Sequence, residues 1–332
     1  MQSDRKMLAV RVVRVMTALP LLGSMSLSTA AWGQEFPSRT VRFVVASGPG
    51  GSTDSLARLL GERVAQSWQQ PLVYDNRPGA GGLIAGEVAA RASPDGHTML
   101  FSTSAAIAVS VSLYQKMPYD PVKDFAPIVR VATQPYMLIA HPASVSSVKE
   151  LIAAAQAKPG QISFSHTGAG TGTHLAGELF MRAAQVKLLS VPYKSIGQSM
   201  TSVLSGETQL TFTSVFTAWT QARTGRAKAL AVTGKTRSPA APQVPTMAEA
   251  GLPNYVAGNW YGLLAPAGTP RTVVEMLNRQ VNAVLARTDV KELLITQGFE
   301  PVGGSADDFG QFIRSEIKEY ASLIRSAGLK AL

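Results

Sequence analysis

Short apolar, β-branched runs alternate with amphipathic helical patterns along almost the whole chain, and this alternation restricts the fold more than any other feature of the sequence. It argues for α/β architecture with largely parallel sheets. The run "TVRFVVAS" (Thr40 to Ser47) leads into a helical pattern ending near Gln69, then "PLVYDN" (Pro71 to Asn76), the loop "RPGAGG", a helix through Arg91 and the strand "HTMLFST" (His97 to Thr103). Their near-continuous apolar character predicts strands buried on both faces. Prolines bracket a long β-rich run from Pro118 to Pro142, and a second βα series follows: "VKELIAAAQAKPG" as helix, "QISFSH" as strand, "HLAGELFMRAAQ" as helix. Next, "VKLLSVPYK", "TQLTFTS" and "AKALAVTG" alternate with helices, one around Ile196 to Leu204. "GNWYGLLAPAGTP" (Gly258 to Pro270) opens a third segment with three helical patterns. The last carries Phe309, Phe312, Ile313, Ile317, Tyr320 and Ile324 at the spacing of a core-facing stripe.

Each βα series has a glycine-rich loop where a strand hands over to a helix: "ASGPGGSTDSLARLL" (Ala46 to Leu60) and "HTGAGTGTHLAGELF" (His166 to Phe180). Glycine allows close backbone approach, and the first turn of a helix offers unpaired N–H donors at a positive dipole end. Two such loops predict two similar domains facing one cleft, with an anion held at the strand ends. The competing reading is a tight turn capped by Ser52 or Thr53 that binds nothing. Arg77, beside a third glycine turn, is a candidate partner for a ligand carboxylate.

Other chemistries find little support. The second loop reads G-x-G-x-G with no acidic residue at the distance a dinucleotide ribose requires, and "TGKT" (Thr233 to Thr236) has Ala229 where a phosphate-binding loop needs glycine. There is no G-x-S-x-G, and Ser146 to Lys149 matches S-x-x-K without its companion motifs. His97, His141, His166 and His174 are scattered; His174 and Glu178 stand one helical turn apart without further ligands, so no metal or cofactor is expected, and His174 is read as packing against the glycine loop. The formal net charge is +10, but the basic residues are dispersed and no aromatics interleave with them, which argues against nucleic acid. With no cysteine, neither a disulfide nor a lipid-anchored thiol is available.

The first 33 residues run basic (Arg5, Lys6, Arg11, Arg14), apolar from Val15, then small to Ala31-Trp32-Gly33, the order of a secretory signal peptide cleaved near Gly33. The remaining chain is expected to work outside the cytoplasm.

In this order, "FPSRTVRFVVASGPGGSTDSLARLL", "PLVYDNRPGAGGLIAGEVAARASPDGHTML", "MPYDPVKDFAPI", "THLAGELF", "VPYK", "AKALAVTG", "VPTMAEAGLP", "YGLLAPAGTP" and "EPVGG" resemble the periplasmic substrate-binding proteins of tripartite tricarboxylate transporters, the Bordetella uptake (Bug) receptor family. The resemblance covers nearly all of the chain after residue 33. It implies a type II periplasmic binding protein: two α/β lobes around a ligand cleft, with two chain crossings near Ile128 to Ala140 and Val256 to Leu264. Lobe 1 would comprise residues 34–130 and 260–332, and lobe 2 residues 131–259. It further implies a non-enzymatic monomer that delivers a small organic carboxylate to the permease subunits of a membrane transporter. An extracytoplasmic hydrolase of an acidic substrate, or a ligand sensor signalling to a membrane kinase, are the competing functions.

By the same resemblance the carboxylate is held by amides and hydroxyls of Pro49, Gly50, Gly51, Ser52, Thr53 and Asp54 in one lobe and of Gly168, Ala169, Gly170 and Thr171 in the other, with Ser214 and Trp260 completing the pocket. Asp54, which would repel an anion, is expected to cap its helix, order a water or meet an amine. The chain departs from its relatives at Ala46-Ser47, where Pro-Phe is common, at Ala169, where Asn is usual, and at Thr213-Ser214, where Asp-Asn is frequent. These changes favour an aromatic or aliphatic mono- or dicarboxylate over an amino acid, with Trp260 and Tyr261 as candidate walls.

Overall fold

The computed structural model describes residues 36–326 and Gly328, so the expected signal peptide lies outside the described residues. The first series forms as the periodicity predicts: β1 (Val41–Val45), α1 (Ser52–Ala65), β2 (Leu72–Asn76), α2 (Leu83–Ala90) and β3 (Thr98–Thr103). β1 pairs in parallel with β2 on one side and β3 on the other, and both β1 and β3 are buried on two faces. β2 corrects the expectation. It is the edge of the sheet, and its Val73 is exposed.

After the short α3 (Ser110–Leu113), the run between the prolines becomes the 16-residue strand β4 (Phe125–Ala140). The second series is α4 (Val148–Ala157), β5 (Ser163–His166), α5 (Gly172–Ala184), β6 (Leu189–Pro192), α6 (Ile196–Leu204), β7 (Leu210–Ser214), α7 (Val215–Ala222) and β8 (Lys228–Val232). The chain then returns through β9 (Gly258–Pro266), α8 (Arg271–Ala286), α9 (Thr288–Thr296), β10 (Glu300–Gly303) and α10 (Ala306–Ser326).

The strands are ordered β2-β1-β3-β9-β4-β7-β5-β6, with β8 and β10 also paired to β4. β5 pairs in parallel with β6 and β7, but β3 with β9, and every partner of β4, are antiparallel. The sheets are therefore mixed rather than largely parallel. Within a series helices carry the chain back between parallel neighbours, whereas β9 returns along the path by which β4 left and so runs against it. From Phe125 to Pro135, β4 pairs with β9; from Tyr136 to Ala140 it pairs with β7 and β8 in the second sheet.

Each sheet is covered on both faces. The first buries Phe43, Leu56, Phe101, Val129, Leu263 and Leu277 on one side and Val44, Leu100, Trp260, Leu264 and Phe309 on the other. The second buries Leu138, Phe164, Phe180, Phe212 and Tyr255 on one side and Met137, Ile139, Val215 and Val232 on the other. Two cores make two α/β lobes. Each fully buried large side chain contributes about 1.5–3 kcal/mol by leaving water. Within α10 the stripe faces inward at Phe309, Ile313 and Ile324, while Ser305 caps its first turn by accepting the Asp308 amide at 3.0 Å. Among the described residues no helix is long and apolar enough to cross a membrane.

Candidate functional site

The first glycine loop leaves β1 and is tied down by Asp54. This carboxylate is 3% exposed and accepts from the Gly50 amide at 2.9 Å, the Arg58 Nε at 3.0 and 3.1 Å, and the Asn76 Nδ2 at 2.9 Å. Burial alone would raise its pKa, but the bonds from Arg58, Gly50 and Asn76 outweigh it and hold the carboxyl below its ordinary value. Asp54 thus shapes the loop. Gly50 takes the left-handed conformation at φ +77°, and Gly51 stands at the head of α1 with no side-chain cap, so neither Ser52 nor Thr53 fills the capping role. The amides of Ser52, Thr53 and Asp54, in the first turn of α1, have no acceptor within the helix. Pro49 is exposed beside them.

Two histidines build the second loop. The Gly168 amide donates to His166 Nδ1 and the Gly170 amide to His174 Nδ1, each at 3.1 Å, with the two rings 4.4 Å apart. Both acceptors require a neutral ring protonated at Nε2; His166 Nε2 lies 2.8 Å from the Ser190 hydroxyl. Burial, then the neighbouring His174, lowers the His166 pKa to about 4. Thr171 donates to the Gly168 carbonyl through its amide at 3.3 Å and its hydroxyl at 2.7 Å. The amides expected to reach a carboxylate at Gly50, Gly168, Gly170 and Thr171 are therefore engaged inside their own loops. The donors left at the helix heads are the first-turn amides of α1 and those of Gly172, Thr173 and His174 at the start of α5. Ala169 is exposed at the loop tip.

These heads belong to different lobes, and the lobes touch beside them. A Cβ on Gly170 would overlap the side chain of Leu113 from α3. Val109, Leu113, Leu175 and Ile324 extend this contact as a small apolar seam. Between the heads lies a polar floor laid by the two crossing strands: Gln134 of β4 faces Asn259 of β9 in register. The Tyr261 hydroxyl donates to Gln134 Oε1 at 2.7 Å, and Ser104 donates to Asn259 Oδ1 at 2.6 Å. Burial pushes the Tyr261 pKa up to about 12, partly offset by the side chains of Asn259 and Ser52, which places that phenol within reach of the α1 head.

Trp260, one residue away, turns to the other face. It is 2% exposed, stacks edge-on against Phe309 and Phe312, and donates from Nε1 to Glu316 at 3.0 Å. There it borders a cavity of about 690 Å³ between α5 and α10, which Gly172 at the head of α5 and Asn259 also line. Arg130 sits in this cavity with its guanidinium 4.0 Å above the Phe312 ring. Alternation along β9 thus turns Tyr261 toward the α1 head and Trp260 toward the cavity that Gly172 lines. Ser214 is also occupied: it caps α7, accepting the Thr217 amide at 3.2 Å and donating to the Thr217 hydroxyl at 2.8 Å. Arg77 binds Asp75 at 2.8 Å. The S-x-x-K residues serve structure, with Ser147 capping α4 and Ser146 accepting from Lys228. Among the described residues no group of three or more potential metal ligands occurs. Ser104, Gln134 and Asn259 were not expected from sequence; polar residues inside apolar strands were the available signal.

Two lobes that share crossing strands, and bring one glycine loop each to a common seam, define a two-lobed solute-binding receptor of the periplasmic type. This chain belongs to the family described as the tripartite tricarboxylate transporter family receptor, whose model matches residues 56–329. A protein from the tcbD-tcbE intergenic region of a Pseudomonas species is 37% identical over 96% of this chain and 95% of its own length. BugT of Bordetella pertussis is 36% identical over 89% of this chain and 91% of its own. Among solved structures, Rhodopseudomonas palustris Rpa4515 with adipate superposes with a TM-score of 0.82 at 34% identity, covering 90% of this chain and 100% of that one. MatC of the same organism, with bound malate, has a TM-score of 0.76 at 31% identity over 87% of this chain and 100% of its own.

Proposed function

We propose that this protein is a periplasmic receptor that encloses a small organic carboxylate between its lobes and delivers it to the membrane permease of a tripartite transporter. The observation that carries this reading is the pair of uncapped helix heads, at α1 and α5, brought to one seam from opposite lobes. Each offers N–H donors and a positive dipole end to an anion, and the phenols and amides of the floor supply further bonds. The ligand class follows from what is already occupied. Asp54, the one carboxylate in the two loops, is saturated by three donors, so an ammonium group finds no free partner beside it. An aliphatic or aromatic mono- or dicarboxylate fits better than an amino acid, in keeping with the adipate and malate held by structural relatives.

The arrangement supports binding and release rather than turnover. His166 and His174 spend their Nδ1 lone pairs on backbone amides, which leaves neither as a general base toward the seam. The test is a thermal-shift screen of residues 34–332, stripped of carried ligand by unfolding and refolding, against carboxylates and amino acids. A ligand at about a thousand times its Kd adds roughly 4 kcal/mol and raises Tm by several degrees. Stabilisation by carboxylates alone is expected; stabilisation by amino acids alone, or by nothing, would overturn the assignment.

A further inference from the structure

We propose that Tyr136 is a ligand-recognising residue whose hydroxyl donates to a carboxylate oxygen held at the head of α5. The inference rests on the carboxylate-receptor reading and extends it to a residue outside both glycine loops.

Tyr136 lies where β4 passes from the first sheet into the second. Its backbone is pinned on both sides by Thr233: the Tyr136 amide donates to Thr233 Oγ1 at 2.7 Å, and its carbonyl accepts the Thr233 amide at 2.9 Å. The side chain is 8% exposed. Three other buried tyrosines spend their hydroxyls inside the protein, Tyr119 on the Ala106 carbonyl, Tyr255 on the Ala176 carbonyl and Tyr261 on Gln134, each at 2.7 Å, while half-buried Tyr193, just after β6, has an enclosed hydroxyl without a partner. No hydrogen-bond partner for the Tyr136 hydroxyl occurs among the described residues, and its oxygen is not one of the fully enclosed unpaired atoms, so it stays within reach of a ligand.

Its position explains what the hydroxyl is for. A Cβ built on Gly172, the first residue of α5, would overlap the Tyr136 oxygen, so the phenol lies against the helix head at the point where its first amides open. Glycine at 172 is what permits this approach. Burial, reinforced by the neighbouring Tyr261 and Tyr320 hydroxyls, keeps the phenol protonated. A neutral O–H that can donate, beside open N–H groups, suits an acceptor without protons of its own, a carboxylate.

Tyr136→Phe deletes the hydroxyl and preserves the ring. The experiment is isothermal titration of the refolded wild-type and Tyr136→Phe proteins with adipate, malate and benzoate, with ligand-free Tm measured alongside. Because the hydroxyl has no protein partner, the ligand-free Tm is expected to stay level or rise slightly. Affinity for whichever of the three acids binds should fall about 10- to 100-fold, the scale of a hydrogen bond to a charged acceptor. Equal affinity of both proteins would overturn the role of Tyr136 and leave the receptor reading standing. A lower ligand-free Tm with unchanged affinity would show a structural phenol and overturn it equally. Should the wild-type protein bind none of the three, the receptor reading fails and this inference falls with it.

Discussion

His166 and His174 each hold a glycine amide through Nδ1, a contact open to the neutral ring alone. The His166 pKa is lowered to about 4 in the fold, whereas an unfolded chain has the ordinary value of about 6.5. Between these values the unfolded state takes up a proton that the native state refuses. The contribution of this residue to stability is therefore complete above about pH 6.5 and is lost as pH falls toward 4. Glu316, raised to about 7 by burial despite its bond from Trp260, works in the opposite sense: its proton stabilises the fold below about pH 4.5 and that gain disappears as pH rises to 7. Tm measured against pH will thus mix two slopes, and the His166→Asn variant separates them. Its amide oxygen can still accept the Gly168 amide but does not titrate, so the loss of stability from pH 6.5 to 4 should be shallower than in the wild type. An unaltered profile would mean that His166 is not the titrating group.

At the scale of elements, the helices and most strands were legible because their apolar spacing is regular; α6 occupies Ile196–Leu204, the span the pattern predicts. Antiparallel pairing was not, since strand direction depends on where the chain returns, which is no property of the local run. The glycine loops were legible as loops; the internal bonds that several of their amides make were not. Composition reveals that a backbone is free to approach something and conceals whether a side chain such as Asp54 or His174 has already claimed it. Tyr136, Gln134 and Asn259 escaped for a related reason: each belongs to a strand whose neighbours are apolar, and only register brings them to one floor. The two loops should respond differently to a single methyl group. On Gly51 a Cβ meets its nearest neighbours at 3.5 Å, ordinary contact, whereas on Gly170, at φ +73°, it collides with Leu113 of the opposite lobe. Gly51→Ala should change urea-unfolding stability by less than about 0.5 kcal/mol. Gly170→Ala should cost about 1 kcal/mol or more and weaken carboxylate binding by prising the seam apart. Equal behaviour of the two variants would contradict this description of the seam.

For the whole molecule, the 690 Å³ cavity lies next to the seam where Leu113 meets Gly170: Leu175 and Tyr320 border both, and the cavity walls, α5 and α10, belong to opposite lobes. Bulk placed in the cavity should hold these helices apart, lower the population of the closed form and so weaken ligand binding. Leu179→Trp, on the α5 wall of the cavity, is expected to lower carboxylate affinity several-fold and to enlarge the radius of gyration of the protein in small-angle scattering; tighter binding with a smaller radius would contradict it. The path of β4 has a consequence in time as well. Strands of the second sheet are drawn from one continuous stretch, Tyr136 to Val232, but the first sheet joins β1 and β3 to β9 and needs β10 to finish. In a chain synthesised from its amino terminus, the second core is able to assemble while the first still waits for residues beyond 258. The earliest-made strands are thus among the last to be satisfied, and their exposed edges are what a chaperone would meet.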